Sequence, residues 1–266
     1  MGKIEEALKK ARAERKSTYD IDKKALVKNS MHETSTIMHI PVMPENKIVS
    51  KQKLAELKII YQEMQNQNIL NEFRALRATI LQKTKGKNIS LLVYSTEIDG
   101  GTSYIAINLA TAIALDKQKT ALLLNCNFNE TPDYESLVEN NERGLIDYLT
   151  EGIDLAKVIH HTGIPKLRII PAGSKAHIDD ELFTKNKMQY LLLELKNRYA
   201  DRIVVIDAPP ITESADLKLL TESIDYALLV IPYAKTKTKK VHKAINIIGK
   251  EKIIGAVINN IPDIFQ

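Results

Sequence analysis

Phosphate chemistry needs particular residue types at particular spacings, and three stretches of this 266-residue chain come close to them. The first is Asp99-Gly100-Gly101-Thr102-Ser103, set between the apolar run 89–94 and a helical pattern over 102–114. A strand that feeds a glycine turn into a helix aims backbone N–H groups and the positive helix end at one point, where a phosphate can sit. A working loop of this kind adds a lysine that reaches the β and γ phosphates and a Ser or Thr that holds Mg²⁺. Here Thr102 stands where the lysine belongs, and Ser103 keeps the hydroxyl position. Losing one charge-assisted contact costs roughly 1.5–3 kcal/mol. By itself a Gly-Gly turn reads first as a tight strand-to-helix connection.

The second stretch, Ala121-Leu-Leu-Leu-Asn-Cys-Asn-Phe128, puts Asn125 and Asn127 two apart at a strand end, on the same side. Aspartates there would bind Mg²⁺ or activate an attacking hydroxyl. Asparagine keeps the shape without the charge or the basicity. The third stretch, Ile203-Val-Val-Ile-Asp-Ala-Pro-Pro210, ends an apolar strand on Asp207, placed to hold a Mg²⁺-bound water or simply to cap the strand. Other constellations are weaker. Arg74 and Arg77 lie three apart on one helix face, either a solvated salt-bridging face or a contact with a neighbouring subunit or acidic loop. His160 and His161 are adjacent and would diverge on a helix, so no metal is expected on them. Asp179-Asp180-Glu181 reads as a helix start. No Ser and His spacing suggests a nucleophile elbow.

Positioning these residues requires a particular set of elements. A short amphipathic helix is expected over 3–16, with Ile4, Ala7, Leu8 and Ala11 on one face. A linker broken by Pro41 and Pro44 is expected over 17–51, and a long helical pattern over 52–83. After Gly86, strands are expected at 89–94, 120–126, 167–171, 203–207, 226–232 and 254–258. Helical patterns fall between them at 102–114, 137–150, 188–198 and 239–249. Near-continuous apolar strands alternating with helices predict an α/β fold, a mostly parallel sheet covered by helices on both faces. Ligands bind beyond the carboxyl ends of such strands. The predicted organisation is a docking helix over 1–16, a linker over 17–51 and one domain over 52–266.

Composition narrows the classes. Trp is absent and aromatics make up 5%, which argues against stacking platforms for single-stranded nucleic acid. The single cysteine, Cys126, excludes an internal disulfide and a multi-cysteine zinc site, so no structural metal is expected. No apolar run approaches the ~18 residues of a membrane span, and the charged N-terminus does not read as a signal peptide. The net charge of +5 sits in residues 1–60, which hold 13 Lys and Arg against 8 Asp and Glu. A basic arm on a neutral body fits docking to an acidic partner or an anionic lipid surface, or a solvated tail.

Read in order, these residues resemble the cytoplasmic tyrosine autokinases of bacterial exopolysaccharide export, relatives of the MinD/ParA-type deviant Walker ATPases. Phe73-Arg-Ala-Leu-Arg77 resembles the arginine helix that packs neighbouring subunits into a ring. Asn108-Leu-Ala110, Arg143-Gly-Leu-Ile-Asp-Tyr-Leu-Thr-Glu-Gly152, Pro165-Lys-Leu-Arg-Ile-Ile-Pro-Ala-Gly173 and Ile206-Asp-Ala-Pro-Pro210 are similar to further family segments, in the family's order. In Gly255-Ala-Val-Ile-Asn259 the resemblance places Asn259 near an adenine. Lys3-Ile-Glu-Glu-Ala-Leu-Lys-Lys-Ala11 is similar to the start of the exosortase-associated branch.

The resemblance implies a P-loop NTPase fold with a helical N-terminal arm. Gly100, Gly101, Thr102, Ser103 and Asn259 would face a nucleotide, Ser103 and Asp207 a Mg²⁺, and Arg74 and Arg77 a subunit interface. Mg-ATP or Mg-ADP would be the cofactor, weakly bound and not required structurally. The implied partner is an inner-membrane chain-length-determinant protein (a polysaccharide co-polymerase), with a homo-oligomer or ring, no nucleic acid, and a cytoplasmic location on the inner membrane face. The departures from the family pattern are concentrated where chemistry occurs. They are Thr102 for the loop lysine, Asn125 and Asn127 for two acids, Asn71 for the acid opening the arginine motif, and no tyrosine cluster after Tyr233. A degenerate, non-transferring member is therefore expected. The alternatives are an active ATP-dependent tyrosine autokinase of the same system and a MinD/ParA-like ATP switch.

Overall fold

The computed structural model describes residues 48–128, 130–139, 143–174, 185–198, 201–210 and 216–262. The expected docking helix, nearly all of the expected linker and Asp179-Asp180-Glu181 lie outside the described residues. The elements, in chain order, are α1 (Lys51–Glu56), α2 (Gln67–Lys83), β1 (Ser90–Ser95), α3 (Thr102–Ala114), β2 (Thr120–Asn125), α4 (Leu145–Glu151), β3 (His160–His161), β4 (Leu167–Ile170), α5 (Lys185–Asn197), β5 (Arg202–Asp207), α6 (Asp216–Ser223), β6 (Tyr226–Pro232), α7 (Thr238–Ile248) and β7 (Ile253–Asn259). Among the described residues no helix is long and apolar enough to cross a membrane.

The strands form one seven-stranded sheet in the order β3-β4-β2-β5-β1-β6-β7. Every pairing is parallel except β3 with β4, so the expected mostly parallel sheet holds. Parallel strands present alternate side chains to opposite faces. Leu91 and Val93 of β1 therefore enter one core, packed with α2 and α3. Leu92 and Tyr94 enter the other, which contains residues of α4, α5, α6 and α7. Both faces of the inner strands β1, β2, β5 and β6 are buried, which is why they read as continuous apolar runs rather than alternating ones. In α3, 11 of 13 residues are buried, so the helix is apolar almost all round, as befits one packed on both the sheet and α2.

The long helix expected over 52–83 is instead two helices joined by a turn. Lys58 has a left-handed φ of 55°, and the N–H of Ile60 is taken by Asn108 Oδ1 at 2.7 Å rather than by the helix. Asn108 also donates to Lys58 O at 3.1 Å, and Asn66 caps α2 by accepting from Ile69 N at 3.3 Å. The apolar spacing through 57–66 misled because Ile59 and Ile60 are core residues of a turn. Asn108 is fully buried and serves groups some 50 residues away in sequence. Asn108→Ala orphans both of those groups and is expected to lower unfolding free energy by about 2–3 kcal/mol, read as a shift in the urea midpoint.

One further expectation is narrowed. For the helical pattern expected over 137–150, a 3₁₀ turn covers Asp133–Leu137 and α4 begins at Leu145. His160 and His161 lie on a two-residue edge strand. The helix α6 was not expected from the sequence.

Candidate functional site

All three stretches converge on the carboxyl rim of the sheet because their strands are parallel neighbours. Asp207 stands opposite both Val93 of β1 and Asn125 of β2. Backbone bonds lock the junction, with Cys126 N donating to Asp207 O at 2.8 Å and Ala208 N to Val93 O at 3.2 Å.

The loop leaving β1 turns through Asp99 (φ 54°) and Gly101 (φ 83°) into the first turn of α3. Side chains are excluded here: a Cβ on Gly100 would lie 2.1 Å from Ser95 Oγ, and one on Gly101 1.9 Å from Asn259 Nδ2. Asn259, from the end of β7, donates to Gly100 O at 3.1 Å and so holds the loop closed. The opening N–H groups of a helix have no partner within it, and those of α3 begin immediately after this turn. Thr102 is the first residue of α3 and is buried, at 9% exposure. Ser103 is half-buried, and its hydroxyl favours the charged form of Asp207.

Asp207 is fully buried. Tyr134 donates its phenol to Asp207 Oδ2 at 2.6 Å, and Asp207 Oδ1 has no hydrogen-bond partner. Burial raises the carboxyl pKa from 3.8 to about 6, against the opposing pull of the Tyr134 and Ser103 hydroxyls. The same burial, together with the Asp207 charge, pushes the Tyr134 phenol and the Cys126 thiol well up.

Asn125 and Asn127 stand at the rim as expected, and each carries a glutamate. Asn125 Nδ2 donates to Glu135 Oε1 at 2.7 Å, and Asn127 Nδ2 to Glu130 Oε2 at 3.4 Å. Asn125 Oδ1 accepts from Asn127 N at 2.8 Å. Glu130 and Glu135 both act on Asp207, adding to its raised pKa. Negative charge is thus present beside the amides, although the strand-end residues are neutral.

Sequence reasoning missed Tyr134, Glu130 and Glu135. They lie in or before a five-residue 3₁₀ turn, which has no periodicity to read, and Pro132 before it was the only signal. Arg74 and Arg77 lie away from this rim on α2. Arg77 Nη1 donates to Ala112 O of α3 at 2.9 Å, and Arg74 Nη1 to Asn71 Oδ1 at 3.5 Å. His160 Nε2 bonds the Arg143 carbonyl at 2.6 Å. Among the described residues no group of three His, Cys, Asp or Glu side chains stands close enough to hold a metal ion.

The residues fit a phosphate-bearing ligand in part. The backbone cradle, Ser103 and the orphan Oδ1 of Asp207 suit a Mg²⁺-bound phosphate, because Mg²⁺ asks the protein for only one or two oxygens and keeps waters. The loop itself supplies no cation.

A parallel sheet with a glycine turn at the head of α3 and an acid at the end of β5 defines a P-loop NTPase-type fold. The family model described as "AAA domain" matches residues 99–256, and the chain belongs to that family. The resemblance to bacterial tyrosine autokinases holds. The chain is 24% identical over 230 residues to tyrosine-protein kinase ptk of Acinetobacter johnsonii, covering 85% of this chain and 31% of that protein. It is 27% identical over 191 residues to tyrosine-protein kinase etk of Escherichia coli K12, covering 71% of this chain and 26% of that protein. The chain therefore spans a third or less of the length of these relatives. Among solved structures, the kinase domain of E. coli ETK aligns with a TM-score of 0.65 at 24% identity, over 81% of this chain and 89% of that one. The cell division ATPase MinD of Pyrococcus furiosus aligns with a TM-score of 0.55 at 20% identity, over 64% of this chain and 71% of that one. At these identities both likenesses concern the fold.

Proposed function

We propose that this chain is a degenerate tyrosine-kinase-like P-loop protein that binds Mg-nucleotide without transferring a phosphoryl group. It serves as a regulatory subunit for exopolysaccharide or capsule synthesis and export. One observation carries the reading: the cradle is shaped, but the groups that drive transfer are replaced. Thr102 brings no charge, the strand-end positions are amides, and the carboxylate at the end of β5, Asp207, is engaged by Tyr134. Catalysis of this type is mostly electrostatic stabilisation and positioning, so a cradle without those charges binds better than it transfers. In this reading the chain docks peripherally on an inner-membrane chain-length-determinant protein at the cytoplasmic face and assembles through the α2 face bearing Arg74 and Arg77.

Isothermal titration with Mg-ATP, paired with phosphotyrosine detection on the full chain mixed with that partner class, tests the reading. Saturable binding with no phosphotyrosine is the expected result. Phosphotyrosine that disappears in Asp207→Ala would overturn it.

That outcome would favour an active autokinase of the same system. The observation on its side is the pair Glu130 and Glu135, which set carboxylates beside Asn127 and Asn125.

A further inference from the structure

The cradle lacks a lysine of its own, yet one reaches its loop from elsewhere in the fold. Lys240, in the first turn of α7, places Nζ 2.6 Å from Glu97 Oε2. Glu97 is part of the loop between β1 and α3 that wraps the cradle. Thr96 and Thr236 join the same two segments through their hydroxyls at 3.1 Å, so a second side-chain contact holds the approach beside the ion pair. The pairing is unequal in freedom. The Lys240 side chain is 50% exposed, whereas that of Glu97 is 20% exposed and its Oε1 is buried without a hydrogen-bond partner. The groove along α7 that Lys240 lines is also lined by Lys237, Lys239 and Lys243 and, among the described residues, by no acidic one. Four lysines on this stretch, against the single carboxylate of Glu97 at Lys240, favour an anion.

We propose that Lys240 is the cation of the phosphate cradle, supplied from α7 in place of Thr102, and that Glu97 is its placeholder. A carboxylate and a phosphate oxygen make the same charge-assisted bond to an ammonium group. The four-carbon stem of lysine lets Nζ leave one for the other without moving its helix. The ligand is a nucleoside polyphosphate on the rim that also holds Ser103 and the fully buried, partnerless Oδ1 of Asp207. The inference rests on the nucleotide-binding reading above and adds the source of the missing charge. It also assigns Glu97 a cost to binding, since the polyphosphate must displace it. Lysine makes a point-charge contact, so it strengthens retention of the phosphates without restoring the two strand-end acids, consistent with binding in the absence of transfer.

The test is isothermal titration of Mg-ATP, and separately of adenosine, into the full chain and four variants. Lys240→Ala is expected to weaken Mg-ATP about tenfold and to leave adenosine unchanged, because adenosine carries no phosphate. Glu97→Gln is expected to tighten Mg-ATP several-fold by releasing Lys240. Adding Thr102→Lys to Lys240→Ala is expected to recover the lost affinity, which a misfolded variant would not do. Lys250→Ala removes an exposed charge beyond the far end of α7 and is expected to change Mg-ATP binding less than twofold. If Lys240→Ala binds Mg-ATP as tightly as the parent chain, the assignment of Lys240 is overturned while the nucleotide reading stands. An equal loss in Lys250→Ala would mean a general field effect and would also overturn it. A parent chain that binds no Mg-ATP overturns both.

Discussion

Replacing Asp207 with asparagine is expected to stabilise the folded chain at pH 8. The carboxyl is fully buried, and its pKa is raised from 3.8 to about 6, with burial as the largest cause. A group whose pKa is higher in the folded state contributes stability that is fully present below pH 3.8 and lost as the pH rises through about 6. Above that range the charged side chain costs about 3 kcal/mol, a shift of about two pH units at 1.36 kcal/mol each. Asparagine removes the charge and can still accept from Tyr134, but its amide N–H₂ needs partners the carboxylate did not. A net gain of about 1–2 kcal/mol at pH 8 is expected after that offset. Urea midpoints at pH 4, 6 and 8 provide the check. In the parent chain stability should fall across the interval, and in Asp207→Asn the slope should flatten. A variant with the parental slope would show that Asp207 carries no such strain. A buried charge that lowers stability points to a role that needs the charge, and a cation at Oδ1 is such a role.

The largest loss is expected at Gly173. Its φ of 86° is left-handed, and a Cβ there would lie 2.3 Å from Asp147 Oδ2 and 2.8 Å from Gly144 N. Asp147 cannot easily yield. It is buried, and its Oδ2 accepts from Gly144 N at 2.7 Å and Ser174 N at 3.1 Å. Gly144 in turn is closed against Pro171 O, 2.3 Å from where its own Cβ would stand. Left-handed strain of about 1–2 kcal/mol therefore adds to a broken buried cluster, and Gly173→Ala is expected to cost about 3–5 kcal/mol or to prevent folding. Gly152→Ala is the matched comparison. Its φ is 66°, but nothing lies within 4 Å of the added Cβ. Only the backbone strain should appear there. Equal losses in the two variants, measured by thermal unfolding, would show that the Asp147 cluster contributes nothing.

Much of the fold was legible because strands buried on both faces announce themselves as apolar runs. The span Thr102–Ala114 and the strand Tyr226–Pro232 match their expected limits. The helical pattern over 52–83 failed for a definite reason: Asn108, distant in sequence, captures backbone groups that a helix would use, and no local pattern reports that. At the site, the glycine turn, Asn125, Asn127 and Asp207 could be named from spacing because strand ends are recognisable. Tyr134, Glu130 and Glu135 could not, since their relation to the rim comes from a short turn that folds back over β2. Lys240 reads in sequence as one of several lysines on an amphipathic helix. Only the pairing of Glu97 with α7, 143 residues apart, sets it beside the loop.

The strand order has a consequence for the order in which the chain can assemble. β1 emerges early but lies between β5 and β6, with Val93 opposite Asp207 and Leu91 opposite Tyr226. Both neighbours lie more than 100 residues downstream of it. Pairings at such separation carry a loop-closure entropy that local contacts do not repay, and they slow folding. During synthesis the glycine turn is made long before β5 and β6, the strands on either side of β1. Until β5 has been added β1 has two open edges, and until β6 has been added it has one, each a template for pairing with another chain. The rim that gathers the phosphate-facing groups is thus among the last parts of the domain to form, and the nascent chain has to keep β1 covered until then.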